Sequence, residues 1–113
     1  MVRELNIALI GCGNWGKNIA RNLHQMGSLA CIYDTNKQLS EILNHEYNLP
    51  NYELNNIFKD KDIDAIIIAS PAITHKDLAV QSLKYNKDVF IEKPFCLSLT
   101  DAQKLANLAT NRN

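Results

Sequence analysis

The chain has no charge of either sign to spare: 12 Lys plus Arg stand against 12 Asp plus Glu. That balance removes the electrostatic case for nucleic acid or an anionic membrane surface as a partner. No apolar run approaches the ~20 residues that span a bilayer. The short apolar stretch near the N-terminus flows into a glycine turn, which marks it as a core strand and not a signal peptide. Cysteine is sparse. Cys12, Cys31 and Cys96 are odd in number, widely spaced and without a C-x-x-C pair. They point away from a disulfide framework and from a zinc site, so no metal is expected, and they suit a reducing cytoplasm. Low-complexity tracts, solenoid-period repeats and interdomain linkers are missing too. Residues 1–113 therefore read as one domain, long enough to bury about two-thirds of its unfolded surface.

What is present begins at residue 5. Leu5-Asn6-Ile7-Ala8-Leu9-Ile10 reads as a strand and runs into Gly11-Cys12-Gly13-Asn14-Trp15-Gly16, with a helical pattern after it. In this G-x-G-x-x-G spacing each glycine has its own task. Gly11 permits the tight turn, Gly13 lets the backbone approach a pyrophosphate, and Gly16 lets the helix pack closely on the strand. The helix N-terminus turns free N–H groups and a positive dipole end toward the phosphates. Asp34 follows about 20 residues later, at the end of a second apolar run from Leu29, where a carboxylate can hold the ribose hydroxyls of an adenosine. A carboxylate there repels a 2′-phosphate, so NAD is favoured over NADP; Lys37 is the nearest cation. The plainer alternative makes Asp34 a helix cap.

The rest alternates helix and strand. Ile19, Ala20, Leu23 and Met26 recur at helical spacing, and Gly27 is placed to end that helix. Asn36 is placed to cap a helix whose inner face is Leu39, Ile42, Leu43 and Tyr47. Residues 49–52 fit a very short strand and 54–59 one helical turn. Residues 64–69 form a buried strand broken by Ser70-Pro71. Thr74 caps a helix that turns Leu78, Ala79 and Leu83 inward. Residues 88–91 form another strand, ending in Glu92-Lys93-Pro94. A last helix starts at Thr100, with Gln103 at capping-box spacing, and turns Ala102, Leu105, Ala106 and Ala109 inward. The pattern predicts an α/β fold: a Rossmann-type doubly wound parallel sheet of about five strands. Ligands of such sheets bind beyond the carboxyl ends of the strands, which gathers Gly11–Gly16, Asp34, Ser70-Pro71 and Glu92-Lys93-Pro94 on one edge.

Three segments carry a family resemblance: Gly11-Cys12-Gly13-Asn14-Trp15-Gly16-Lys17-Asn18, Ala69-Ser70-Pro71-Ala72-Ile73-Thr74-His75, and Glu92-Lys93-Pro94. Together they resemble the nucleotide-binding half of the glucose–fructose oxidoreductase/inositol dehydrogenase/MocA family. Within it they most resemble 3-dehydrogenases of UDP-N-acetylglucosamine or its uronic acid. The resemblance implies hydride transfer between a sugar hydroxyl carbon and NAD. It implies that Lys93 lies beside the nicotinamide and the reacting carbon as the catalytic cation. Glu92 is implied near the nicotinamide ribose, Ser70 and Pro71 along the cofactor, His75 close to it, and Asn14 and Trp15 in the turn beside it. A lysine so placed would orient the sugar hydroxyl and favour its deprotonation.

Alternatives stand beside several of these roles. His75 either meets the cofactor or only satisfies local backbone groups, and Trp15 either contacts the pyrophosphate or covers its helix. Lys17 either steers phosphates or faces solvent, and Cys12 is a small residue tolerated in the turn. His24 and His45 belong to helix surfaces. Family members continue into a second α/β domain that binds the sugar and supplies a catalytic histidine, whereas this chain ends at Asn113. The expectation is a dinucleotide-binding half, incomplete for catalysis alone, with the strand at 88–91 left as an edge for association. The other class of function is a non-catalytic remnant or a nucleotide-binding or interaction module.

Overall fold

Continuous apolar runs make the strands. Ile7–Ile10, Leu29–Tyr33 and Ala65–Ile68 read IALI, LACIY and AIII, as strands do when both faces are covered. In the computed structural model, which describes residues 5–91, these are β1, β2 and β3, and Asp88–Ile91 is β4. All pairings are parallel, in the order β2-β1-β3-β4. Parallel neighbours need crossovers. Asn14–Gln25 (α1) makes the first, Lys37–Glu46 (α2) and Leu54–Lys59 (α3) the second, and His75–Lys84 (α4) the third.

Strand alternation divides the core into two layers. Leu9, Leu29 and Ile32 pack on one face with Ala20 and Leu23 of α1 and Leu43 of α2. Ala8, Ile10, Cys31, Ile66 and Ile68 pack on the other with Ile57 and Phe58 of α3 and Ala79 and Leu83 of α4. The helix ends follow local chemistry. The Asn36 side chain accepts the Leu39 N–H at 3.3 Å, and Gly27 follows α1 with φ of 75°. No helix among the described residues is long and apolar enough to cross a membrane.

Four expectations need correction. Residues 49–52 form no strand, so the described sheet has four strands. Pro50 has no N–H to give a ladder, and the place of a further strand is taken by Asn44, which is 1% exposed. Its Oδ1 accepts the Ile32 N–H and its Nδ2 donates to the Ile32 carbonyl, both at 2.9 Å. The side-chain amide thus fills the outer hydrogen-bonding edge of β2, where a further strand would pair. Asn51 Oδ1 then accepts from Asn44 Nδ2 at 2.9 Å. Ile42 is 63% exposed, so it does not belong to the inner face of α2, and Met26, 65% exposed, is the C-cap of α1 and not part of its helical pattern. Thr74 occupies the position before α4, but its hydroxyl makes no cap; it donates to the Pro71 carbonyl at 2.6 Å instead. Glu92, Lys93, Pro94, Cys96 and the helix expected from Thr100 lie outside the described residues.

Candidate functional site

The parallel sheet brings the ends of β1, β2 and β3 to one edge. The glycine turn is tied to both neighbours. Gly11 N–H donates to the Tyr33 carbonyl and Ala69 N–H to the Ile10 carbonyl, each at 2.8 Å. Gly11 has φ of 99°, and a Cβ there would stand 2.5 Å from the Ser70 nitrogen. A Cβ on Gly16 would collide with the Gly11 carbonyl, so glycine at 16 sets how closely α1 approaches the turn. Gly13 is different: it is exposed, and a Cβ on it would meet nothing within 4 Å. Among the described residues, the space a side chain at 13 would take is open. That is the fit a pyrophosphate requires of this turn. Asn14 and Trp15 are the first two residues of α1.

Asp34 is drawn into the turn. Its Oδ2 accepts the Cys12 N–H at 2.9 Å and lies 3.4 Å from the Cys12 thiol, while Oδ1 accepts the Asn36 N–H at 2.8 Å. Burial pushes its carboxyl pKa up, but these bonds from Cys12 and Asn36 outweigh burial and hold it below the ordinary value. Cys12 feels the reverse. Burial, then the charge and hydrogen bond of Asp34, push its thiol up to about 12 against the pull of Lys17. Lys37, the nearest cation to Asp34 in sequence, is paired with Glu53 at 3.1 Å.

The third strand end is held by a small network. Thr74 Oγ1 spends its proton on the Pro71 carbonyl, so Ser70 Oγ is the donor in the 2.7 Å bond between the two hydroxyls. His75 is 1% exposed, with Nε2 2.7 Å from the Ser70 carbonyl. A carbonyl only accepts, so Nε2 carries the proton. Of the two alternatives for His75, the described contact is with backbone: the imidazole fixes the Ser70-Pro71 segment from beneath.

Some of these parts wall a cavity of about 450 Å³, within the size range of small-molecule sites, while Gly13, Gly16 and His75 do not line it. Gly11, Asp34, Ser70 and Pro71 line it, as expected of strand ends. Leu54, Ile73, Asp77 and Leu78 line it as well, and sequence reasoning had not assigned them to a site. Their only signal was position, in the first turns of α3 and α4 and the loop before α4, since helices that follow parallel strands begin at the ligand edge. A second hollow, of about 580 Å³, lies at the amino edge beside Phe58, Tyr85 and Lys87, away from the carboxyl ends of the strands. Lys87 is buried there and donates to the carbonyls of Asp60 and Ile63. Burial lowers its pKa against the opposing charges of Asp60, Asp64 and Asp62.

Comparison with known proteins agrees with this geometry. The chain is 32% identical over 100 residues to the 2,7-anhydro-N-acetylneuraminate hydratase of Escherichia coli, covering 86% of this chain and 26% of that protein. It is 30% identical over 108 residues to the NAD(+)-dependent scyllo-inositol 2-dehydrogenase of Bacillus subtilis, covering 91% and 32%. The crystal structure of GenD2 from gentamicin A biosynthesis, in complex with NAD, superposes with a TM-score of 0.91 at 27% identity, covering 99% of this chain and 33% of that one. The chain thus spans a third or less of the length of each. Residues 5–113 match the model of the oxidoreductase family with an NAD-binding Rossmann fold, GFO_IDH_MocA. With the glycine turn, the acid at the end of β2 and the parallel sheet in place, the chain belongs to the Gfo/Idh/MocA family of oxidoreductases and is its NAD-binding Rossmann domain.

Proposed function

We propose that the chain is the dinucleotide half of an NAD-dependent oxidoreductase acting on a sugar or sugar nucleotide, and that NAD(H) lies along the carboxyl edge of its sheet. The observation that carries this is the single cavity walled by Gly11, Asp34 and Ser70-Pro71. Gly13 and the start of α1 receive the pyrophosphate; glycine at 13 adds no side chain of its own there. Asp34 faces the adenosine ribose and disfavours a 2′-phosphate. Ser70 and Pro71 form the wall that His75 and Thr74 hold in place. NAD, when bound, supplies the hydride acceptor. Lys93 and Glu92 take their roles from the family motif alone: Lys93 orients the sugar hydroxyl and favours loss of its proton, and Glu92 stands near the nicotinamide ribose.

The Trp15–Asn18 and Pro71–His75 segments favour a sugar nucleotide, and the sparse, widely spaced cysteines favour the cytoplasm as the site of action. Calorimetric titration of the folded chain with NADH tests the binding half of the proposal: saturable heat is expected, weakened by Asp34→Ala, and no heat from a folded sample overturns it. Turnover by the 113-residue chain alone is expected to be negligible, and steady oxidation of a UDP-sugar by it would refute that part.

One observation favours a second role. β4 ends the described sheet, and its Phe90 is 61% exposed, which suits association with a second copy or a partner chain. Sedimentation with and without NADH separates association from simple binding.

A further inference from the structure

Cys12 lies between the first two glycines of the turn and is fully buried. Its backbone and side chain point at one atom: the N–H donates to Oδ2 of Asp34 at 2.9 Å, and the thiol sulfur is 3.4 Å from the same oxygen. The other oxygen, Oδ1, accepts the Asn36 N–H at 2.8 Å. Each carboxylate oxygen offers about two lone-pair positions. Both positions on Oδ2 are therefore filled from within the protein, and Oδ1 keeps one. A ribose diol gripped by both oxygens needs an open position on each. Two of the three internal donors are backbone groups held by the turn and by the start of α2. The thiol is the one donor that a substitution can remove without moving the main chain.

We propose that the Cys12 thiol competes with the adenosine ribose for Oδ2 of Asp34, and that residue 12 thereby sets how tightly this chain holds NAD(H). The inference rests on the dinucleotide reading above. Cys12 is a positioning residue that acts through Asp34. The thiol stays protonated at neutral pH, because burial pushes it up to about 12; it serves as a donor, and no thiolate chemistry is involved. Removing the donor opens Oδ2. Replacing it with a hydroxyl, a stronger donor than a thiol, closes Oδ2 more firmly. Alanine, cysteine and serine at position 12 therefore form a graded series with the backbone N–H retained throughout.

The test is equilibrium titration of the full chain and its Cys12→Ala and Cys12→Ser variants with NADH, with ADP-ribose and with inorganic pyrophosphate. For NADH and ADP-ribose, Kd is expected to rise in the order Ala, Cys, Ser, by roughly threefold per step, the scale of one modest hydrogen bond. Pyrophosphate has no ribose, so its Kd is expected to stay unchanged. A turn deformed by substitution would move pyrophosphate and NADH together, and that result overturns the proposal. Equal NADH affinities in all three proteins overturn it as well, as does weakening by both variants. If Cys12→Ala does not fold, the looser binding expected of Cys12→Ser carries the test by itself. Failure of every variant and of the parent chain to bind NADH refutes the dinucleotide reading, a result distinct from a flat or disordered series.

Discussion

Gly13 separates binding from folding more cleanly than any other position in the turn. Gly13→Ala adds one methyl where the protein leaves at least 4 Å of free space. The backbone at 13 is extended, with φ of −70° and ψ of −162°, a conformation alanine adopts. Two small effects on stability oppose each other. Alanine is a poorer residue than glycine before a helix, and it restricts the unfolded chain. Their net stays within about 1 kcal/mol, or at most about 8 °C in Tm for a domain of this size. Binding is another matter. The methyl occupies the space through which a pyrophosphate reaches the first N–H groups of α1. Loss of one charge-assisted hydrogen bond is worth about 1.5–3 kcal/mol, so NADH binding weakens roughly 10- to 150-fold.

Gly11→Ala is the contrasting control. There a Cβ meets the Ser70 nitrogen at 2.5 Å with φ at 99°. Backbone strain and overpacking together cost about 2–6 kcal/mol, so folding itself suffers. Thermal denaturation and NADH titration by fluorescence measure both quantities for both variants. The reasoning is refuted if Gly13→Ala binds NADH like the parent chain, or if it loses as much stability as Gly11→Ala.

Asp34 holds its proton less tightly in the folded state than in the unfolded one. Its contribution to stability is therefore complete above the ordinary carboxylate value of about 4 and is lost as pH falls through the lower folded value. The gap in urea midpoint between the parent chain and Asp34→Ala should narrow on acidification below that value; a gap constant down to strong acid contradicts this. Asn44→Leu strands the N–H and carbonyl of Ile32 at the edge of β2 and should cost about 2–4 kcal/mol by urea denaturation. A neutral result would mean that water or another group satisfies that edge. Lys87→Met leaves the Asp60 and Ile63 carbonyls without their shared donor and should destabilise by about 1–3 kcal/mol. NADH affinity should be unchanged, since Lys87 sits at the opposite edge of the sheet. A parallel fall in affinity would show that the two edges are coupled.

Much of the fold was legible because the signals were local. Unbroken apolar runs marked β1, β2 and β3, and Asn36 and Gly27 marked helix ends, each through a bond or a dihedral confined to a few residues. The failures came where a competing arrangement of the chain decided. Residues 49–52 contain Pro50, which has no N–H to give a strand ladder, and Asn44 bonds the edge they would pair with. Thr74 has the side chain of a cap, but its backbone is already helical, with φ of −91° and ψ of −12°, where a cap needs an extended residue.

The same division runs through the site. The sequence alone determined the glycine turn, the acid at the end of the second strand and the family they belong to, because these depend on residue type and spacing along one stretch of chain. Tertiary structure alone decided which atoms face one another. It drew Asp34 Oδ2 onto Cys12, 22 residues away in the chain. It also brought Leu54, Ile73 and Asp77 to the wall of the cavity. The physical reason is that a parallel sheet aligns strand ends far apart in sequence, and hydrogen-bond partners across that edge are chosen by distance in space.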